Sequence, residues 1–88
     1  MKIEVTPRYK ENLQTILSMM SEQLDYSSIK NFKLYLDTII LNIPTKLHKY
    51  KVSSFFDSEE IKEIDFNGFK IFFFEDKNND KIILLSIA

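Results

Sequence analysis

The residues best suited to chemistry in this chain are few, and most are basic. His48, the only histidine, stands in the run TKLHKYK beside Lys46, Lys49 and Lys51. An unperturbed pKa near neutrality suits a histidine to general acid–base work. A lone histidine flanked by lysines is more often simply solvated. With Tyr50 set between Lys49 and Lys51, the same run is the best local candidate for contact with phosphate or an acidic peptide. Lys70, just beyond an Asn-Gly pair, is the remaining cation near it. Asp57, Glu59 and Glu60 soon reverse the sign, so any positive field is local. Asp76, Asn78 and Asp80 imitate the first ligands of a calcium loop. The sharp-turn glycine and closing glutamate are replaced by Lys81 and Ile87, so no metal site is expected. There is no cysteine to serve as nucleophile or thiolate ligand, and no serine has a convincing base nearby in sequence. These residues define no catalytic set and imply no cofactor.

The elements that must hold these side chains can be read from periodicity. In 88 residues with a net charge of −1 there is room for one small domain, 1–88, without the overall positive field that draws a protein to nucleic acid. The absence of cysteine fits a reducing cytoplasm, and no apolar run suggests a signal peptide or a membrane span. Lys2 to Thr6 (KIEVT) alternates like a short strand. Thr6-Pro7 is a cap followed by a proline at the first helical position. Tyr9, Leu13, Ile16, Leu17, Met20 and Leu24 then mark one helical face. Asp25 to Ser28 offers caps for a second helix, with Ile29, Phe32, Leu36, Ile39, Ile40 and Ile43 as its buried stripe. Pro44 disfavours α geometry at Ile43 and should end it. Residues 45–60 show no clean period and read as a long ordered loop with a turn of helix.

Asn67-Gly68 between apolar alternations predicts a type I′ hairpin. It pairs Phe66 with Phe69, Asp65 with Lys70, Ile64 with Ile71, Glu63 with Phe72 and Ile61 with Phe74. One face then carries Ile64, Phe66, Phe69, Ile71 and Phe73; the other carries Ile61, Glu63, Asp65, Lys70, Phe72 and Phe74. Asp76 to Asp80 is a second turn. Lys81 to Ala88 (KIILLSIA) is apolar on both faces and should be a central strand. The expected fold is α+β in the order β-α-α-β-β-β, a helical hairpin packed on a small antiparallel sheet. Two helices cover only one face of such a sheet. Phe72 and Phe74 must be covered either by the 45–60 loop, through Val52, Phe55 and Phe56, or by a partner.

Element order, the Asn-Gly hairpin and the words KYKVSSFFDSEEIKEIDFNGFKIFF together resemble the RelE/ParE superfamily of toxins from bacterial type II toxin–antitoxin modules. The likeness is nearest to a ParE-like branch and covers essentially the whole chain. The matching positions are Lys49-Tyr50-Lys51, Phe56-Asp57-Ser58-Glu59-Glu60-Ile61, Phe66-Asn67-Gly68-Phe69 and Ile71. The resemblance implies a growth-inhibiting toxin neutralised by an antitoxin that wraps around it. Superfamily members divide into gyrase-directed inhibitors and ribosome-dependent mRNA endonucleases. The RelE-like nucleases use basic residues on the sheet, with an Arg and a Tyr beyond the last strand. Here Lys70 stands where many of them have Arg, Glu63 stands near the place of an expected Lys, and Ala88 is reached before that Arg and Tyr. The expectation is therefore a toxin that binds a macromolecular target, with DNA gyrase as the implied candidate, rather than one that cuts RNA. The alternatives are a ribosome-dependent mRNA endonuclease with a rearranged site, and a degenerate module that only binds antitoxin. Lys46, His48, Lys49, Lys51 and Lys70 are the expected target-binding residues, and Phe72 and Phe74 the expected antitoxin-binding ones.

Overall fold

The computed structural model describes residues 1–88. Strand β1 (Lys2–Val5) leads into helix α1 (Pro7–Ser21). The Thr6 hydroxyl caps that helix, accepting from the Tyr9 N–H at 3.1 Å, and donates to the Leu85 carbonyl at 2.7 Å. One side chain thus starts the helix and fixes it to the last strand. Helix α2 (Tyr26–Asn42) begins at Asp25, whose carboxylate accepts from the Ser28 N–H at 2.9 Å. The α helix stops at Asn42, and Ile43-Pro44-Thr45 continues as a single 3-10 turn. The helix ends where expected. Yet Ile43 keeps right-handed helical geometry (φ −53°, ψ −48°) against the restriction a proline places on the residue before it. The end comes by tightening into that turn and not by leaving the helical region.

Strands β2 (Lys51–Val52), β3 (Ile61–Phe66), β4 (Phe69–Asp76) and β5 (Lys81–Ile87) complete a five-stranded sheet in the order β1-β5-β4-β3-β2. The β3–β4 hairpin has the expected register, from Phe66 opposite Phe69 to Ile61 opposite Phe74. Its turn places Asn67 at φ 48° and Gly68 at φ 84°, the positive values that a type I′ turn demands. The α+β class and the strand and helix order are as expected, and β5 is internal.

Two features of the sheet correct the sequence reading. The sheet is mixed rather than antiparallel, because β1 pairs parallel to β5, Lys2 with Lys81 through Val5 with Leu84. Alternation in KIEVT marks a strand but carries no information on its neighbour's direction. The 45–60 segment is also more structured than a loop. The turn of helix expected there is the second 3-10 turn, Leu47–Lys49; the addition is the two-residue strand β2, in which Lys51 pairs with Glu63 and Val52 with Lys62. Two residues are too few to show a period.

The core lies between the helices and one sheet face. Leu36, Ile43, Ile71, Phe73, Ile82 and Leu84 are fully buried there, with Tyr9, Ile16 and Phe32 above them. Phe32 packs on Phe66 and Phe69 with ring centroids at 5.2 and 5.9 Å, and Tyr50 meets Phe73 edge-on at 5.7 Å. Leu24, expected on the α1 stripe, lies past the helix end and is exposed. A bulge in β5 inserts Leu85 between Leu84, opposite Phe73, and Ser86, opposite Phe72.

Candidate functional site

The sheet face away from the helices carries the side chains able to do chemistry. On β3, Glu63 and Asp65 point outward two residues apart, as strand geometry requires. Lys70 on β4 lies directly across from Asp65 and diagonal to Glu63. Its ammonium donates to Asp65 Oδ1 at 2.6 Å and to Glu63 Oε2 at 2.7 Å. Lys51, opposite Glu63 on β2, brings a second ammonium to 3.7 Å from the same Oε2. Two lysines and two carboxylates therefore form one neutral cluster.

Glu63 is the buried member. It is 3% exposed, and its other oxygen, Oε1, has no hydrogen-bond partner. The Lys70 hydrogen bond outweighs burial and holds the Glu63 carboxyl below its usual range. The bond to Asp65, and then that to Glu63, raises the Lys70 ammonium above its own. Both shifts keep the Glu63–Lys70 pair ionised at neutral pH.

Residues 53–60 cover the centre of this face. Ser53 is buried, and its N–H donates to the Ile61 carbonyl at 2.7 Å. From there Phe55 and Phe56 fold back onto Phe72, edge-on, with centroids at 5.8 and 5.1 Å. The Lys70 ammonium lies 5.8 Å from the Phe55 ring centroid, within cation–π range. No main-chain hydrogen bond ties residues 54–60 to the strands, so the two rings are what hold this flap down.

The expected site residues divide accordingly. Lys51 and Lys70 meet at Glu63. Lys46, His48 and Lys49 are exposed around the 3-10 turn and make no ion pair with the cluster. That turn is anchored from the helix side, where Lys62 donates to the Leu47 carbonyl at 2.9 Å. Phe72, expected to line an open partner surface, is only 6% exposed beneath Phe55 and Phe56. The chain's own flap takes the place assigned to the partner. Phe74, one step along β4, stays half-buried and is the apolar residue of the pair left accessible. Glu63 and Asp65 were absent from the expected site. Their signal was present in the hairpin register, which set an acidic pair across from the one cation on β4.

No group of three or more His, Asp or Glu side chains is arranged to hold a metal ion. No helix is long and apolar enough to cross a membrane. No family model matches the chain, and no curated protein matches it either.

Proposed function

We propose that this protein is the toxin of a bacterial type II toxin–antitoxin module, ParE-like in kind. It arrests growth by binding a macromolecular target, DNA gyrase being the first to test, and is neutralised by a cognate antitoxin. The family assignment rests on the resemblance of element order and motifs. The choice of binding over RNA cleavage rests on one observation, the closed cluster of Lys51, Glu63, Lys70 and Asp65. Phosphodiester cleavage needs cations free to meet charge as it develops on the phosphate. Lys70 is already held by two carboxylates, and Lys51 leans on one of them. Lys46, Lys49 and His48 remain for a target with acidic or phosphate groups, and their exposure suits an encounter surface. The half-buried Phe74 beside the flap is the apolar residue an antitoxin segment would cover.

Induction in a bacterial host without antitoxin, with growth and the supercoiling of a reporter plasmid as readouts, tests this reading. Arrest with altered supercoiling is expected. Normal growth at good soluble expression would remove toxicity, and altered growth with unchanged supercoiling would remove gyrase.

A further inference from the structure

Strand β1 forms one edge of the sheet and pairs only with β5, at the opposite edge from β2 and the lysine turn that precedes it. The N–H groups of Lys2 and Thr6 donate to the Asp80 and Leu84 carbonyls at 3.1 and 3.0 Å. Parallel bonds come from alternate residues, so Glu4 also faces β5. Ile3 and Val5 therefore turn their N–H and C=O groups out along the free edge. Side chains alternate across the sheet as well. Lys2 and Glu4 share the outer face with Lys81, while Ile3 and Val5 lie on the helix face, opposite the buried Ile82 and Leu84.

Two observations bear on what meets that edge. Lys2 stands opposite Lys81, a like charge, yet makes no ion pair of its own. Lys81 reaches Glu4 instead, at 3.2 Å. A carboxylate on the open side of β1, beside Lys2, would offset the repulsion between the two lysines. On the other face, Met1 is 46% exposed and Val5 37%, so the strand also leaves apolar surface uncovered next to its free backbone.

We infer that the β1 edge pairs antiparallel with β1 of a second copy, joining the two sheets across a two-fold axis at Ile3. The registers that match the outward groups centre on Ile3, Glu4 or Val5. Centred on Val5, the pairing sets Ile3 against Pro7, which has no N–H to give. Centred on Glu4, it sets two carboxylates face to face. Centred on Ile3, it sets Lys2 of each copy opposite Glu4 of the other, and Met1 opposite Val5. The outer face then matches opposite charges and the helix face matches exposed apolar side chains. A short edge strand bearing a lysine ordinarily resists pairing. Glu4 reverses that protection in this register alone. Main-chain hydrogen bonds over one short strand hold the joint, rather than area, so the dimer is weak.

Analytical ultracentrifugation of the full chain, with nothing added before Met1, tests the inference from about 5 to about 500 µM, a range suited to a small interface. The wild type should pass from monomer to dimer across the range. Lys2→Glu and Glu4→Lys should each remain monomeric, the first because carboxylates then face Glu4, the second because ammonium groups then face Lys2. An equimolar mixture of the two should recover the dimer, since every charged position meets its opposite. Both positions are exposed, and unchanged melting curves verify that each variant is folded. Ile3→Pro deletes an outward N–H that β5 does not use and should also abolish the dimer. Ile3 is half-buried, so the charge exchange decides the matter if that variant does not fold. A wild type that stays monomeric throughout overturns the inference. A mixture that stays monomeric, or a folded single variant that dimerises as strongly as the wild type, overturns the edge or its register.

Discussion

Tyr9 carries its hydroxyl into the interior, where it is 3% exposed and finds no hydrogen-bond partner. Burial chiefly, and then the negative Asp37, push its pKa up to about 12 from 10.0. An acid whose folded pKa is raised contributes stability below its unfolded pKa and loses it as pH rises through the folded one, here from pH 10.0 to about 12. Tyr9→Phe should remove that alkaline loss and, by deleting an unsatisfied group, raise stability by about 1 kcal/mol near neutrality. Thermal melts of both proteins at pH 7 and 11 check this, and a Tyr9→Phe protein that melts earlier than the wild type at pH 7 contradicts it. Glu63 has the opposite sign. Its lowered pKa contributes stability above the ordinary carboxylate range, lost as pH falls through and below that range. Glu63→Gln should therefore flatten the acid limb of the melting profile. Phe73 is fully buried and Phe72 nearly so, hence truncation of either to Ala should cost roughly 3–5 kcal/mol in denaturant unfolding. Half-buried Phe74→Ala should cost clearly less. Gly68 has open space where a Cβ would go, so Gly68→Ala should cost only the strain of φ 84°, about 1 kcal/mol.

Between strands, the weakest joint is the 53–60 flap, tied at Ser53 and resting on two phenylalanine rings. Hydrogen exchange should show amides 54–60 exchanging fast while those of β4 and β5 are protected. In Phe55→Ser/Phe56→Ser the β4 protection should persist while Phe72 becomes accessible to an apolar probe dye. Loss of β4 protection in that variant would mean the flap belongs to the core. How much of this was legible in the sequence differs from element to element. The hairpin was, because Asn67-Gly68 fixes a turn and the turn fixes every pair after it. Both helices were, because their stripes and caps agree. Leu24 misled because helical spacing runs on past the last residue that the helix holds. The parallel pairing of β1, the Leu85 bulge and β2 were not legible, since each depends on which strand lies beside which. For the same reason the sequence showed that Phe72 needed cover without deciding what covered it. It also supplied Lys51 and Lys70 as candidates without showing that Glu63, shared between them, and Asp65 neutralise them.

Across the whole molecule, a net charge of −1 is distributed so that Lys51 and Lys70 on the outer sheet face are compensated and the cations of the Lys46–Lys49 turn are not. A surface of that kind favours encounter with an acidic or phosphate-bearing target over cleavage chemistry on the sheet. Lys46→Ala/Lys49→Ala should then weaken growth arrest at unchanged stability, because neither side chain makes an ion pair. The effect should shrink as ionic strength rises in any reconstituted target assay. Thermal melting and induction cultures check the two halves of that statement, and a double variant as toxic as the wild type contradicts it. Arrest of growth without cutting of RNA is tested most directly by primer extension on ribosome-bound messages, taken from cells as growth stops after induction. The result expected is full-length message with no new codon-linked ends. Discrete cuts that appear with induction, and vanish in Lys70→Ala, would show that the clustered lysine is a working part of a nuclease and would contradict the proposal.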